Sequence, residues 1–212
     1  YPLFHIDARQ AAPFLSMDVQ NLGVDLLTFN GSKIYGPRGI GVLYVRRGVA
    51  IEPIVLGGSQ ERGRRAGTEN LPAILGLAKA VSLINPKRGN KKISALRDYF
   101  LKQLTKVLPE AGVNGPTGNK RLANNINISI PGLDSENLLL ELDKHGIRAG
   151  SGSACTAHSV EPSHVLKAIG VTPPYLDGAL RFSLGRRTTK GDIGVLLKRL
   201  PMITDRLRKR YQ

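Results

Sequence analysis

Tryptophan is missing from this chain of 212 residues, aromatics make up only 5% of it, and it has a single cysteine, Cys155. One cysteine excludes an intrachain disulfide framework and any CxxC zinc site built from this chain alone, so a reducing, cytoplasmic setting is the default expectation. The shortage of aromatics leaves out the interleaved stacking platforms of single-strand nucleic-acid binders. Acid is scarce as well: 16 Asp and Glu stand against 31 Lys and Arg, a formal charge of +15. Such an excess draws polyanions at long range, yet the basic residues are dispersed apart from RGRR (62–65) and the tail DRLRKRYQ. That dispersal fits a basic surface around an enzyme of anionic substrates, and nucleic acid is not expected as a partner. No apolar run nears the roughly 18 residues of a membrane helix, and no export signal opens the chain, so neither a membrane segment nor secretion is expected. The first residue is Tyr1, in what reads as the middle of a strand, which suggests that an upstream part is missing.

What is present is enough for a core: 41% hydrophobic residues in a length that suits one large or two modest domains. The first stretch alternates strand and helix signals, the mark of an α/β arrangement with a mainly parallel sheet. LFHID (3–7) reads as a buried strand ending on an acid, VDLLTF (24–29) as a second strand and GVLYVRR (41–47) as a third. From Thr68 the pattern turns helical, with Thr68 as N-cap and Pro72 placed early. PKRGNKK (86–92) is polar and rich in turn formers and marks a domain boundary, giving domains 1–85 and 86–212. Beyond it, 93–108 has helical spacing, NNINISI (124–130) alternates as a strand, SENLLLELDKHG (135–146) is a helix with a Ser cap and a glycine stop, and ALRFSLG (179–185) is a strand. The last helix should be kinked or divided at Pro201. Together these make a smaller α+β domain of one sheet with flanking helices.

The loop between the second and third strands, NGSKIYGPRGIG (30–41), holds one lysine, Lys33, between two apolar runs. A lysine amine is a poor nucleophile while protonated, and partial burial or nearby cations release the free base that can hold an aldehyde. Small hydroxyl and amide groups and a bendable backbone beside it suit an anionic ligand. On these residues alone, an exposed turn is the favoured alternative.

Five segments in order carry a stronger signal: HIDARQ (5–10), NGSKIYGPRGIG (30–41), GGSQERGRRAGTEN (57–70), GIRAGSGSACTAHSVEPSHVLKAIG (146–170) and LRFSLGRRTT (180–189). Together they resemble the NifS/IscS-like cysteine desulfurases, pyridoxal-phosphate enzymes of the class V aminotransferase superfamily. The resemblance extends over nearly the whole chain. It implies a PLP-dependent transferase of fold type I, aspartate-aminotransferase-like. Residues 1–85 would be the C-terminal part of the large PLP-binding domain, and 86–212 the small domain carrying the active-site cysteine loop. The resemblance implies that roughly the first half of the large domain is missing, which would contribute a histidine stacked on the cofactor and a Gly-Thr phosphate turn.

The same resemblance assigns roles. Lys33 matches the lysine that binds pyridoxal 5'-phosphate covalently, and Asp7 the carboxylate that pairs with the pyridine nitrogen. Gln10 matches the amide that bonds the ring hydroxyl. Asn30 and Ser32 stand where the family places phosphate contacts, although many members have Ser and His there. Arg9 stands where the family usually has a small residue beneath the ring. Thr68 matches a residue that reaches the phosphate of a neighbouring subunit, which implies a homodimer. Arg181 matches the clamp on the substrate carboxylate, for which its fork of donors is suited. Cys155, on a loop of small and hydroxylated residues, matches the thiol that takes sulfur from L-cysteine as a persulfide, releasing alanine. The long form of that loop resembles the group that feeds iron-sulfur scaffold proteins. His158 could tune that thiol, whereas His5, His145 and His164 read as structural, and no metal is implied. Two alternatives stay open: another class V enzyme, such as a selenocysteine lyase or an aminotransferase, and a basic module without enzymatic activity that binds nucleic acid or a partner protein.

Overall fold

The computed structural model describes residues 1–152 and 163–211. The chain divides into two compact units, Tyr1–Gly89 and Asn90–Gln212.

In the first unit, β1 (His5–Asp7), β2 (Leu26–Asn30) and β3 (Gly41–Val45) form a sheet in that order. β1 and β2 run parallel and β3 is antiparallel to β2. The sheet is therefore mixed rather than mainly parallel, because residues 31–40 are too short a connection for the crossover that a parallel neighbour needs. A short helix α1 (Val19–Leu22), capped by the Asp18 carboxylate, lies between the first two strands in sequence, and α2 (Leu71–Ser82) closes the unit. Strand alternation puts Ile6, Leu27, Phe29 and Tyr44 toward Ala8, Val24, Met17 and Val19. Leu77 and Ala80 of α2 pack with Ala12 and Ile34. The opposite face presents His5, Asp7, Thr28, Asn30 and Leu43, and Leu43 is 50% exposed.

Two expectations about this unit need correction. LFHID is not a buried strand: only 5–7 pair, Leu3 and Phe4 are about half exposed, and His5 and Asp7 are exposed. Thr68 does not cap α2. The helix starts at Leu71, and the Asn70 side-chain oxygen accepts the Ala73 N–H at 3.2 Å. An Asn next to the first helical residue satisfies an orphan donor that Thr68 is placed too early to reach.

The second unit has an antiparallel sheet of β4 (Gly112–Val113), β5 (Asn125–Ser129) and β6 (Ala179–Ser183), in that order. Its described helices are α3 (Pro86–Val107), whose first turn precedes Asn90, α4 (Ser135–Lys144), α5 (His164–Ala168) and α6 (Lys190–Tyr211). Ile126, Ile128, Leu180 and Phe182 of the sheet meet Phe100 and Leu104 of α3, Leu138 and Leu142 of α4, and Leu200, Ile203 and Leu207 of α6 in one core. The other sheet face is polar: Asn114 donates to Asn127 at 2.7 Å and to Ser129 at 2.8 Å, which satisfies the buried amide.

Three details differ from the sequence reading. Residues 86–92 are helical, because α3 starts at Pro86, a residue favoured in a first turn. α4 is capped by Asp134 rather than Ser135, the carboxylate accepting from the Glu136 and Asn137 N–H groups at 2.9 and 3.1 Å. α6 is not divided at Pro201: it continues as one helix of 22 residues, its apolar side held by Leu196, Leu197, Leu200, Ile203 and Leu207.

Candidate functional site

In the first unit, β1 and β2 end on the same edge of the sheet, since they are parallel neighbours with Asp7 opposite Thr28. Ligand sites of open α/β sheets form at such carboxyl ends. Asp7 is the last residue of β1, and Gln10 lies exposed in the turn that follows. Asn30 is the last residue of β2, and Ser32 and Lys33 sit on a 3₁₀ turn, Gly31–Lys33, directly after it. The topology thus brings Asp7, Gln10, Asn30, Ser32 and Lys33 to one edge of one sheet. Lys33 is exposed, not enclosed between strands as its apolar flanks suggested. Its side chain follows a turn whose backbone leaves the sheet, so the apolar flanks do not enclose it.

Glycines set the shape of that loop. A Cβ on Gly31 would meet the Pro37 carbonyl oxygen at 2.5 Å, and one on Gly36 would meet the Ala80 Cβ at 3.1 Å. The Gly31 carbonyl accepts from Ile34 and Gly36, and its N–H donates to Ile40 at 2.9 Å. Within the loop the Ser32 hydroxyl donates to Asn30 Oδ1 at 3.3 Å.

Asp7 is engaged from one side by Arg9. Arg9 Nε lies 2.9 Å from Oδ1 and 2.8 Å from Oδ2, Nη2 lies 2.6 Å from Oδ2, and the Arg9 N–H donates to Oδ1 at 3.1 Å. The Arg9 side-chain hydrogen bonds hold the Asp7 carboxyl below the usual carboxylate range, with the Arg9 backbone N–H adding to them. His5, on the same face, has Nε2 at 3.2 Å from Thr28 Oγ1. The sequence reading gave Arg9 and Thr28 no such partners, although Arg two residues after an acid at a strand end is a local signal for the first.

Thr68 is exposed, in a segment after a turn where Glu61 and Arg62 adopt left-handed backbone angles of φ 50° and 60°. In the second unit, Arg181 sits half-buried in β6, opposite Asn127. Gly150 pairs with it in an isolated bridge, their backbones exchanging hydrogen bonds of 2.5 and 3.0 Å. A Cβ on Gly150 would stand 3.2 Å from Arg181 Nη2, so the missing side chain makes room for the guanidinium. Cys155 and His158 lie outside the described residues. Among the described residues no group of three or more His, Cys, Asp and Glu could hold a metal, and no helix is long and apolar enough to cross a membrane.

The Aminotransferase class-V family model matches residues 2–196. A cysteine desulfurase of Trichormus azollae is 47% identical over 208 residues, 97% of this chain and 52% of that protein. The structure of a NifS-like protein from Rickettsia africae superposes with a TM-score of 0.85 at 32% identity, over 96% of this chain and 54% of that one. A structure described as SspA in complex with cysteine matches with a TM-score of 0.65 at 32% identity, over 86% of this chain and 50% of that one. The chain spans about half the length of the curated relatives it matches.

Proposed function

The chain belongs to the class-V aminotransferase family, and from that premise we propose that it serves as part of a cysteine desulfurase, which moves sulfur from L-cysteine to Cys155 and releases L-alanine. The observation that carries this reading is the gathering of Asp7, Gln10, Asn30, Ser32 and Lys33 at the carboxyl ends of β1 and β2. Those residues fit pyridoxal 5'-phosphate. The Asn30 amide and the Ser32 hydroxyl are donors suited to a phosphate, the Lys33 amine suits the cofactor's aldehyde, and the Asp7 carboxylate suits a protonated ring nitrogen. Gln10 would bond the ring hydroxyl. When bound, the cofactor supplies an electron sink for the pair left at the substrate's α-carbon.

The remaining work falls to the chain's own groups. Lys33 Nζ anchors the cofactor and takes the proton from the substrate's α-carbon. Arg181 grips the substrate carboxylate with two parallel donors, in the space that Gly150 leaves beside it. Sγ of Cys155, as thiolate, bonds to the substrate sulfur as the bond from that sulfur to Cβ breaks. The electron pair of the broken bond stays with the carbon skeleton, which takes up a proton and leaves as alanine. Cys155 then carries a persulfide to an acceptor protein, such as an iron-sulfur scaffold. Thr68 serves the cofactor phosphate of a second subunit, so the working form is a homodimer. A free thiol in this role suits the reducing cytoplasm.

The test is a pair of variants in the full chain. Lys33→Ala should abolish the visible absorbance gained on adding pyridoxal phosphate. Cys155→Ala should keep that absorbance and lose sulfide release from L-cysteine by about two orders of magnitude or more. Unchanged turnover in Cys155→Ala would assign the chain to another activity of the same family.

A further inference from the structure

Asp7 accepts four contacts from a single residue. Arg9 Nε reaches both carboxylate oxygens, Nη2 reaches Oδ2, and the Arg9 N–H reaches Oδ1, all between 2.6 and 3.1 Å. Three N–H groups make these contacts, because the single Nε hydrogen is shared between both oxygens, so each carboxylate oxygen is engaged and most of its roughly four lone-pair positions are taken. The arrangement is built in by the backbone. The N–H of Ala8, between the two residues, donates to the Thr28 carbonyl at 2.7 Å, continuing the β1–β2 ladder one residue past Asp7. Ala8 itself is fully buried, so residues 7 and 9 leave the same side of the chain. The two side chains are 47% and 54% exposed, so water screens the pair and it can open.

We infer that Arg9 is a positioning residue that competes with the ring nitrogen of a pyridine cofactor for Asp7, so that cofactor capture requires Arg9 to give up at least one carboxylate oxygen. The inference rests on the proposed function and adds a residue to it. Before capture, Arg9 holds the Asp7 carboxylate oriented. During capture, part of that pair is lost, and the affinity is lower than Asp7 alone would give.

The experiment titrates wild type, Arg9→Ala, Arg9→Lys and Lys33→Ala, each as the full chain, with pyridoxal phosphate and with its analogue carrying a carbon in place of the ring nitrogen. If Arg9 competes, Arg9→Ala binds pyridoxal phosphate about fivefold more tightly than wild type, the range of one exposed, well-aligned ion pair. Arg9→Lys, a point charge that cannot cover both oxygens, falls between them. The analogue makes no claim on Asp7, so its affinity changes less than about twofold among these three, which a merely structural role for Arg9 would not produce. Equal or weaker binding of pyridoxal phosphate by Arg9→Ala overturns the inference while leaving the functional reading in place. Binding that does not depend on Lys33 in any form of the protein overturns the functional reading, and this inference with it.

Discussion

Glu141 is a carboxylate that the fold has taken out of water and surrounded with cations. Its side chain is 7% exposed, Lys144 Nζ stands 2.6 Å from one oxygen, and Arg206 Nη1 from α6 stands 3.1 Å from the other. The Lys144 hydrogen bond holds this carboxyl below its ordinary value of 4.5, burial works against the shift, and the charges of Lys144 and Arg206 reinforce it. A folded-state value below the unfolded one means that the unfolded chain binds the proton more readily. The stabilisation is therefore complete above 4.5 and is lost as pH falls from there through the folded value. Glu141→Gln should lower the urea midpoint at neutral pH, and the gap to wild type should close as pH falls below the ordinary glutamate range. A midpoint gap that stays constant down to about pH 3 would show that the charge of Glu141 is not what couples α4 to α6. At this scale the sequence shows which residue types are present but not whom they face. Asp7 and Lys33 stand out by motif, whereas the Arg9 grip on Asp7 depends on where a strand ends and a turn begins. The exposure of Lys33 depends on a turn leaving the sheet, which flanking hydrophobicity does not report.

Among the elements, the loop 31–40 is the most constrained piece of the candidate site. Gly31 is enclosed by backbone, with the Pro37 carbonyl oxygen 2.5 Å and Ile40 Cγ2 3.1 Å from where a Cβ would be. A carbonyl cannot swing aside as a side chain can, so Gly31→Ala should push the loop outward and cost about 1–3 kcal/mol. Lys33 lies two residues on, so cofactor binding should weaken beyond what the lost stability explains. Gly39 is the control. Its φ is +79°, with nothing within 4 Å of an added Cβ, so Gly39→Ala should cost only about 1 kcal/mol, from the left-handed backbone. Melting temperature and cofactor titration on both variants check the contrast. If the two glycines behave alike, the tight closure of this loop does not position Lys33. The elements themselves are largely readable, because strands 24–29, 41–47, 124–130 and 179–185 and the helices α2, α3, α4 and α6 have strong periodicity. Their ends are not: Asn70 and Asp134 compete with Thr68 and Ser135 for the same orphan donors, and only backbone geometry decides which oxygen reaches them. The helical start at 86–92 is masked in the sequence by Pro86, Gly89 and Asn90, which also favour turns, whereas Pro86 opens a helix that the following apolar face stabilises.

For the whole molecule, the two units are unequal in what they bury. Among the described residues, the second unit has a main core of seventeen buried hydrophobic residues shared by its sheet and α3, α4 and α6, with ion pairs from Arg206 to Glu141 and from Arg208 to Glu110 around it. The first unit buries clusters of four and three, and leaves Leu3, Phe4, Leu43, Ile54, Leu56, Leu71 and Leu75 at least half exposed. Stability follows apolar area removed from water against ordering entropy, so the first unit has less burial to set against that entropy. An antiparallel sheet with one face covered by long helices buries that face within its own unit, whereas a sheet that leaves an apolar face open does not. Residues 90–212 expressed alone should therefore unfold in urea in a single cooperative transition, with far-ultraviolet and near-ultraviolet signals coincident. Residues 1–89 alone should show no cooperative transition and should bind a hydrophobic dye. The asymmetry was invisible to composition, because both halves carry similar hydrophobic patterns and only the sheet order and register reveal which face each pattern covers. If 1–89 instead unfolds cooperatively with a midpoint matching 90–212, then the exposed leucines and isoleucine are no deficit. The site at the ends of β1 and β2 would then rest on a scaffold stable in its own right.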